Sequence, residues 1–171
     1  KICDDQDNEV AINKPGELCI RGPQVMHGYW QRPIETANVL DENGWLKTGD
    51  LGHLDKKGRL YISAGRKKDL IIRAGENVSP LAIENALMGH PAPAEVAAVG
   101  IVDERIGEKV KVCVVLREGA DAMEQELKYF CRNNLPAFMT PDLIEFHESL
   151  PKTATGKIIK SQLKRSVGLT Q

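Results

Sequence analysis

The amino-acid sequence predicts an α+β fold in two parts, and three observations support this. Short apolar alternations punctuated by Gly, Pro and Asn turns fill the first 65 residues. Beyond Gly65, apolar residues also recur at helical spacing, and two apolar strand candidates, Glu95–Val102 and Val110–Leu116, lie between the helical stretches. With 171 residues the chain is long enough to bury a core as one domain or two small ones, which excludes a miniprotein that depends on staples. We therefore expect a β-rich segment over 1–65 and an α+β domain over 66–171.

The elements follow in order. Lys1-Ile2-Cys3 opens the chain without Met and reads as a strand met in mid-fold, which implies a piece of a longer polypeptide. Pro15-Gly16 turns into Glu17–Arg21, where Leu18 and Ile20 alternate with polar neighbours. Pro33 starts a short helix to about Leu40, since proline is tolerated at a first helical position. Asn43-Gly44 is a turn, and His53–Asp55 and Arg59–Ile62 flank Lys56-Lys57-Gly58 as a hairpin. Leu70–Ile72 is a short strand with Gly75-Glu76-Asn77 as its turn. Ser79-Pro80 caps and opens a helix that carries Ile83 and Leu87 on one face and stops at Gly89. After the two apolar strands, Met123, Leu127, Phe130 and Cys131 mark a helix, Leu143–Phe146 a strand, and Ile159–Ser166 a last helix.

Composition excludes several classes. The formal net charge is −1 and aromatics are 5%, so neither a basic surface for nucleic acid nor a base-stacking platform is expected. No apolar run approaches the roughly 18 residues of a membrane span. Cys3, Cys19, Cys113 and Cys131 form no CxxC pair, which points to reduced thiols in a cytoplasmic protein. None of the four histidines has a partner at metal-ligand spacing, so no metal ligands are assigned.

Three polar, glycine-bearing stretches stand out: Trp45-Leu46-Lys47-Thr48-Gly49-Asp50-Leu51-Gly52, Gly65-Arg66-Lys67-Lys68-Asp69 and Pro151-Lys152-Thr153-Ala154-Thr155-Gly156-Lys157. Singly they read as a turn, a solvated basic surface and a helix approach. A phosphate-loop reading of the third fails, because GxxxxGK[ST] needs a glycine at Pro151 and a hydroxyl at Ile158. Taken in order and at these distances, they resemble the adenylate-forming superfamily of acyl-CoA synthetases, peptide-synthetase adenylation domains and luciferases. The resemblance continues through Gly28-Tyr29-Trp30, Gly75-Glu76-Asn77-Val78-Ser79-Pro80 and Leu135-Pro136-Ala137-Phe138-Met139-Thr140-Pro141. Asn43–Asp50 and Gly28–Pro33 are closest in pattern to bacterial long-chain fatty acid–CoA ligases.

The resemblance implies a reaction in two halves: a carboxylate attacks the α-phosphate of Mg-ATP to give acyl-adenylate and pyrophosphate, and the thiol of coenzyme A then displaces AMP from the acyl-adenylate. Positioning and charge stabilisation dominate such chemistry. By the resemblance, Lys157 is the catalytic lysine of adenylation, Asp50 accepts hydrogen bonds from the ribose hydroxyls, and Arg66 is a second ribose and phosphate contact. Lys68 falls at the hinge, Gly75 lines the coenzyme A tunnel, and Glu76 polarises groups near the thiol. Two departures stand out. Ala64 adds one residue between Gly58 and Arg66, which bears on the strand register there, and Ile72 occupies a position where luciferase-like members carry a lysine.

The basic tail of Lys152, Lys157, Lys160, Lys164 and Arg165 suits either the phosphates of coenzyme A or an anionic membrane surface, and otherwise a solvated helix face. The resemblance thus implies ATP, coenzyme A and a fatty or other carboxylic acid as partners, with Mg2+ held mainly by residues not in this sequence. It is compatible with a homodimer and a peripheral membrane contact. It also implies a β-rich end of a large AMP-binding domain over 1–65, a mobile lid over 66–171, and no activity for this portion alone. An aryl-CoA ligase, a ligase loading a carrier protein, and a stand-alone binding module are the competing readings.

Overall fold

A computed structural model describes residues 1–164, so Arg165 of the basic tail and Ser166 of the expected last helix lie outside the described residues. The chain divides into two compact units, Lys1–Lys68 and a second that begins at Asp69. The division follows the end of a strand at Arg66.

The first unit is an antiparallel sheet in the order β1 (Ile2–Cys3), β2 (Gly16–Ile20), β3 (Leu46–Leu54) and β4 (Leu60–Arg66). Helix α1 (Pro33–Val39) starts at its proline and buries no residue. The β3–β4 turn is made by Asp55, whose carboxylate accepts from the backbone of Lys57 and Arg59 while pairing with the Arg59 guanidinium at 2.7 Å. Those bonds, the Arg59 amide first, hold the Asp55 carboxyl below its ordinary pKa. Gly58 takes the left-handed conformation (φ +73°) that closes the turn.

In the second unit, the long strands β7 (Pro93–Asp103) and β8 (Gly107–Leu116) pair antiparallel, from Pro93 opposite Leu116 to Asp103 opposite Gly107. Two short strands, β5 (Ile71–Arg73) and β6 (Glu76–Val78), form a hairpin that joins β8 at the Arg73–Gly107 pair. Strand β9 (Leu143–Phe146) runs parallel to β8. Helices α2 (Pro80–Met88) and α3 (Glu124–Asn134) bury Ile83, Leu87, Leu127 and Cys131 against Val96, Ala98, Val110, Val112 and Val114. The alternate residues Ala97, Val99 and Cys113 face a second cluster with Leu150 and Leu163, the latter on α4 (Lys160–Leu163). The two central strands therefore read as mostly apolar, with the buried Lys111 as the exception within Val110–Leu116 of β8, because both faces are covered.

Two expectations need correction. Gly75-Glu76-Asn77 is not the turn after β5: the turn is Ala74-Gly75, and Glu76 and Asn77 belong to β6. Both turn residues have positive φ, +51° and +85°, as a type I′ hairpin requires, and alanine is not a residue that announces such a turn. Thr48-Gly49-Asp50 is likewise no chain-reversing turn, since it lies inside the nine-residue β3.

Candidate functional site

A bulge places Asp50. Between the register pairs Glu17–Leu51 and Cys19–Lys47, the single residue Leu18 of β2 faces Thr48, Gly49 and Asp50 of β3. Gly49 adopts φ +77° to allow this. The bulge is then braced from both sides. The Glu17 carboxylate accepts the Gly49 amide at 3.0 Å, while the Thr48 hydroxyl donates to the Leu18 carbonyl at 2.9 Å and accepts the Asp50 amide at 3.1 Å. An acidic side chain on a rigid, half-exposed platform is suited to accepting two hydroxyl hydrogen bonds.

Arg66 reaches the same place from the next strand. It is the direct register partner of Asp50, and Nε lies 3.3 Å from the Asp50 carboxylate. A second irregularity makes this pairing: Gly52 and Leu51 are consecutive on β3, but their partners Ile62 and Gly65 are separated by two residues on β4. Ser63 and Ala64 lie between those two partners. Gly52 permits the close approach, because a Cβ on it would stand 2.4 Å from the Tyr61 carbonyl oxygen. The Arg66 and Asp50 side chains are 55% and 39% exposed, so the pair contributes little stability and both partners are free to turn to a ligand.

Beyond Arg66, a 3-10 turn spans Lys67–Asp69. The Lys67 ammonium lies 2.7 Å from Asp5 and 3.3 Å from Glu17. Those carboxylates, Asp5 first, raise its pKa above the ordinary lysine value. Glu17 therefore braces both the Asp50 bulge and the end of the first unit. Lys68 follows directly, and its side chain makes no ion pair among the described residues. Sequence reasoning missed Glu17 and Lys67. An acid at strand spacing and a middle lysine in a basic triplet carry no local signal of these bonds.

Lys157, Gly75 and Glu76 belong to the second unit. Lys157 ends a tight loop in which its carbonyl accepts the Thr153 amide at 2.8 Å and its own amide donates to the Thr153 hydroxyl at 3.1 Å. Gly156 takes φ +81°, and the Gly156 amide donates to the Thr153 carbonyl. Mobility at this site therefore resides in the four-carbon lysine stem, which ends exposed and without an acidic partner among the described residues. Its basic neighbours differ: Lys152 pairs with Glu95 at 2.7 Å and Lys160 with Glu84 at 2.6 Å. The tail is thus not a continuous unpaired stripe. A Cβ on Gly75 would meet nothing within 4 Å, so the turn is open on its outer side and its φ sets the need for glycine.

One group of metal-ligand types does converge, although spacing did not suggest it. Cys113, Glu145 and His147 place their ligand atoms within 4.8 Å of one another. Parallel pairing of β8 with β9 brings Cys113 opposite Glu145. The buried Lys111 ammonium already stands 2.8 Å from Glu145 and would have to yield to any cation. Among the described residues no helix is long and apolar enough to cross a membrane.

Residues 82–157 match the AMP-binding enzyme C-terminal domain. The chain is 48% identical over 164 residues to a long-chain-fatty-acid–CoA ligase of Escherichia coli O157:H7, which covers 96% of this chain and 29% of the ligase. It is 49% identical over 163 residues to the ligase of the same name from Bacillus subtilis strain 168, at 95% and 29%. The chain thus spans about 29% of the length of these relatives. Among solved structures, it resembles the Bacillus subtilis o-succinylbenzoate CoA synthetase in complex with its acyl-adenylate intermediate, with a TM-score of 0.89 and 34% identity, covering 96% of this chain and 33% of that one. The chain is thus similar along nearly its whole length to part of these long-chain-fatty-acid–CoA ligases, and residues 82–157 of its second unit match the AMP-binding enzyme C-terminal domain.

Proposed function

We propose that this chain is the C-terminal part of a long-chain fatty acid–CoA ligase, in which residues 1–65 end the large AMP-binding domain and residues 66–171 form the mobile lid. The observation that carries this reading is the Asp50–Arg66 pair. Two register irregularities in one sheet, the first of them braced by Glu17 and Thr48, bring an acid and a guanidinium together, half-exposed, just ahead of the unit boundary. Such a pair presents acceptor oxygens to the ribose of ATP and a cation to its phosphates.

The chemistry then divides between the units. In the first half-reaction the exposed Lys157 ammonium approaches the fatty carboxylate and the α-phosphate, where negative charge accumulates. In the second, the lid turns about Lys68 and presents the Ala74-Gly75 turn, with Glu76 beside it, to the thiol of coenzyme A. The anchored Lys67, followed by a Lys68 with no ion pair among the described residues, supports that hinge position. Mg2+ accompanies ATP, but the described residues do not offer it the oxygen cluster that a hard cation requires. We assign its ligands to residues outside this chain. The cytoplasm is the compartment that suits this substrate and four free cysteines.

The test is made in the enzyme that carries this chain. Lys157→Ala should lower fatty-acid-dependent exchange of labelled pyrophosphate into ATP by about 10²–10³-fold. Asp50→Ala should raise the KM for ATP, and the 171-residue chain alone should be inert. Exchange catalysed by this chain alone, or a Lys157→Ala enzyme as fast as wild type, would refute the reading.

A further inference from the structure

We propose that Arg73 is a positioning residue for thiol transfer, which it serves by clamping the Ala74-Gly75 turn to the segment 138–142; the assignment rests on the functional reading above. The β5–β6 hairpin has little backbone to hold it. Its strands are three residues long, and Arg73–Gly107 is the register pair that joins it to β8. Side chains supply the rest. One Arg73 Nη1 donates to the carbonyls of Phe138 and Thr140, both at 3.0 Å, and Nη2 reaches the Asp142 carboxylate at 2.7 Å.

Asp142 is itself fixed. Its second oxygen accepts the Val110 amide at 2.8 Å, and the Lys128 ammonium, paired with Glu124 on α3, donates to its carbonyl. Arg73 therefore ties the hairpin to a point defined by β8, α3 and the start of β9. Its side chain and that of Asp142 are only 22% and 21% exposed, which shields this pair more than the open Asp50–Arg66 pair. The planar fork serves two carbonyls and a carboxylate together, which a lysine cannot reproduce.

Two more bonds complete the seat. The Ala74 amide donates to the Ile106 carbonyl at 2.7 Å, and the Ile72 amide to the Glu108 carboxylate at 2.7 Å. Ala74 holds φ +51°, a conformation that persists only where the surroundings over-determine it. The turn is thus strained, open on the outside and clamped from behind, as a fixed wall for a passing ligand must be. The Lys157 loop closes through its own bonds to Thr153 and does not use this clamp.

Hydrogen exchange on the 171-residue chain gives the first test. In Arg73→Ala and Arg73→Lys, the Ala74 amide should exchange at least tenfold faster while the Val112 amide of β8 is unchanged. An Ala74 amide protected as in wild type in either variant overturns the clamp, as does equal loosening of Val112 in Arg73→Lys. The second test uses the enzyme that carries the chain and preformed acyl-adenylate. The KM for coenzyme A should rise at least tenfold in Arg73→Lys, with pyrophosphate exchange within twofold of wild type. Equal loss of both half-reactions makes Arg73 merely structural and overturns its role alone. A wild-type enzyme with no transfer to coenzyme A overturns the functional reading and this assignment with it, whatever the exchange arm shows.

Discussion

Cys19, Cys113 and Cys131 are buried, and burial raises each thiol to a pKa of about 11; at Cys19 the neighbouring Cys3 thiol adds to the effect. An unfolded cysteine titrates near 8.5. The folded state therefore holds these protons more tightly than the unfolded state. The resulting stability is fully present below the unfolded pKa and is lost as pH rises towards 11, at up to about 1.4 kcal/mol per pH unit for each thiol. We expect the urea midpoint to fall between pH 9 and pH 11, and Cys131→Ala to shallow that fall. A midpoint that is flat over this range would show that the thiolates are not penalised. For the same reason the native thiols should resist alkylation at pH 8, since the reactive thiolate is scarce and shielded.

At the scale of elements, the β5–β6 hairpin shows both what a sequence announces and what it hides. Asn-Gly is the preferred pair for two consecutive positive φ angles, and this chain has Ala-Gly. Replacing Ala74 with Asn should therefore stabilise the protein by about 0.5–1 kcal/mol, because the Asn side chain hydrogen-bonds locally in the left-handed region and offsets part of a cost of roughly 1–2 kcal/mol that the alanine methyl group bears in full. Thermal unfolding of Ala74→Asn measures this, and a lowered Tm would mean that Ala74 is favoured by a contact other than its backbone. That substitution also marks where legibility ended. Helix α2 was readable because Ser79 caps it, accepting the Ala82 amide, and Pro80 opens it. Strands β7 and β8 were readable because their valine-rich runs, Val96–Val102 and Val110–Leu116, contain no proline. The hairpin was misplaced because its strain carries no compositional mark. Asp50 and Arg66 were nameable from resemblance, but their juxtaposition depends on two register shifts that no local spacing encodes. The cluster of Cys113, Glu145 and His147 arises from parallel pairing between strands about thirty residues apart, which periodicity does not report.

For the molecule as a whole, the two units differ in what holds them together. Among the described residues, the first unit buries only Ile2, Cys3 and Cys19 as hydrophobic side chains, and its sheet exposes Leu60, Tyr61 and Ile62 along β4. Trp30, ahead of α1, is 87% exposed, and Ile34, within that helix, is 75% exposed; the helix buries nothing. Its order instead depends on polar bonds open to water, such as the Lys47–Asp7 pair and the Asp55 turn. The second unit buries two clusters on opposite faces of its sheet, from Ile71 to Leu163. Apolar burial contributes about 25 cal/mol per Å², and exposed ion pairs near nothing, so the second unit must hold most of the folding free energy. We expect amides of β7, β8 and α3 to exchange only through global opening, and those of β1 to β4 to exchange through local opening at far lower free energy. Residue-resolved exchange in dilute solution measures both. Uniformly slow exchange across residues 1–65 would show that the first sheet draws stability from something other than its own core. A collapse of protection in β8 at the same denaturant concentration as β3 would show that the units open together.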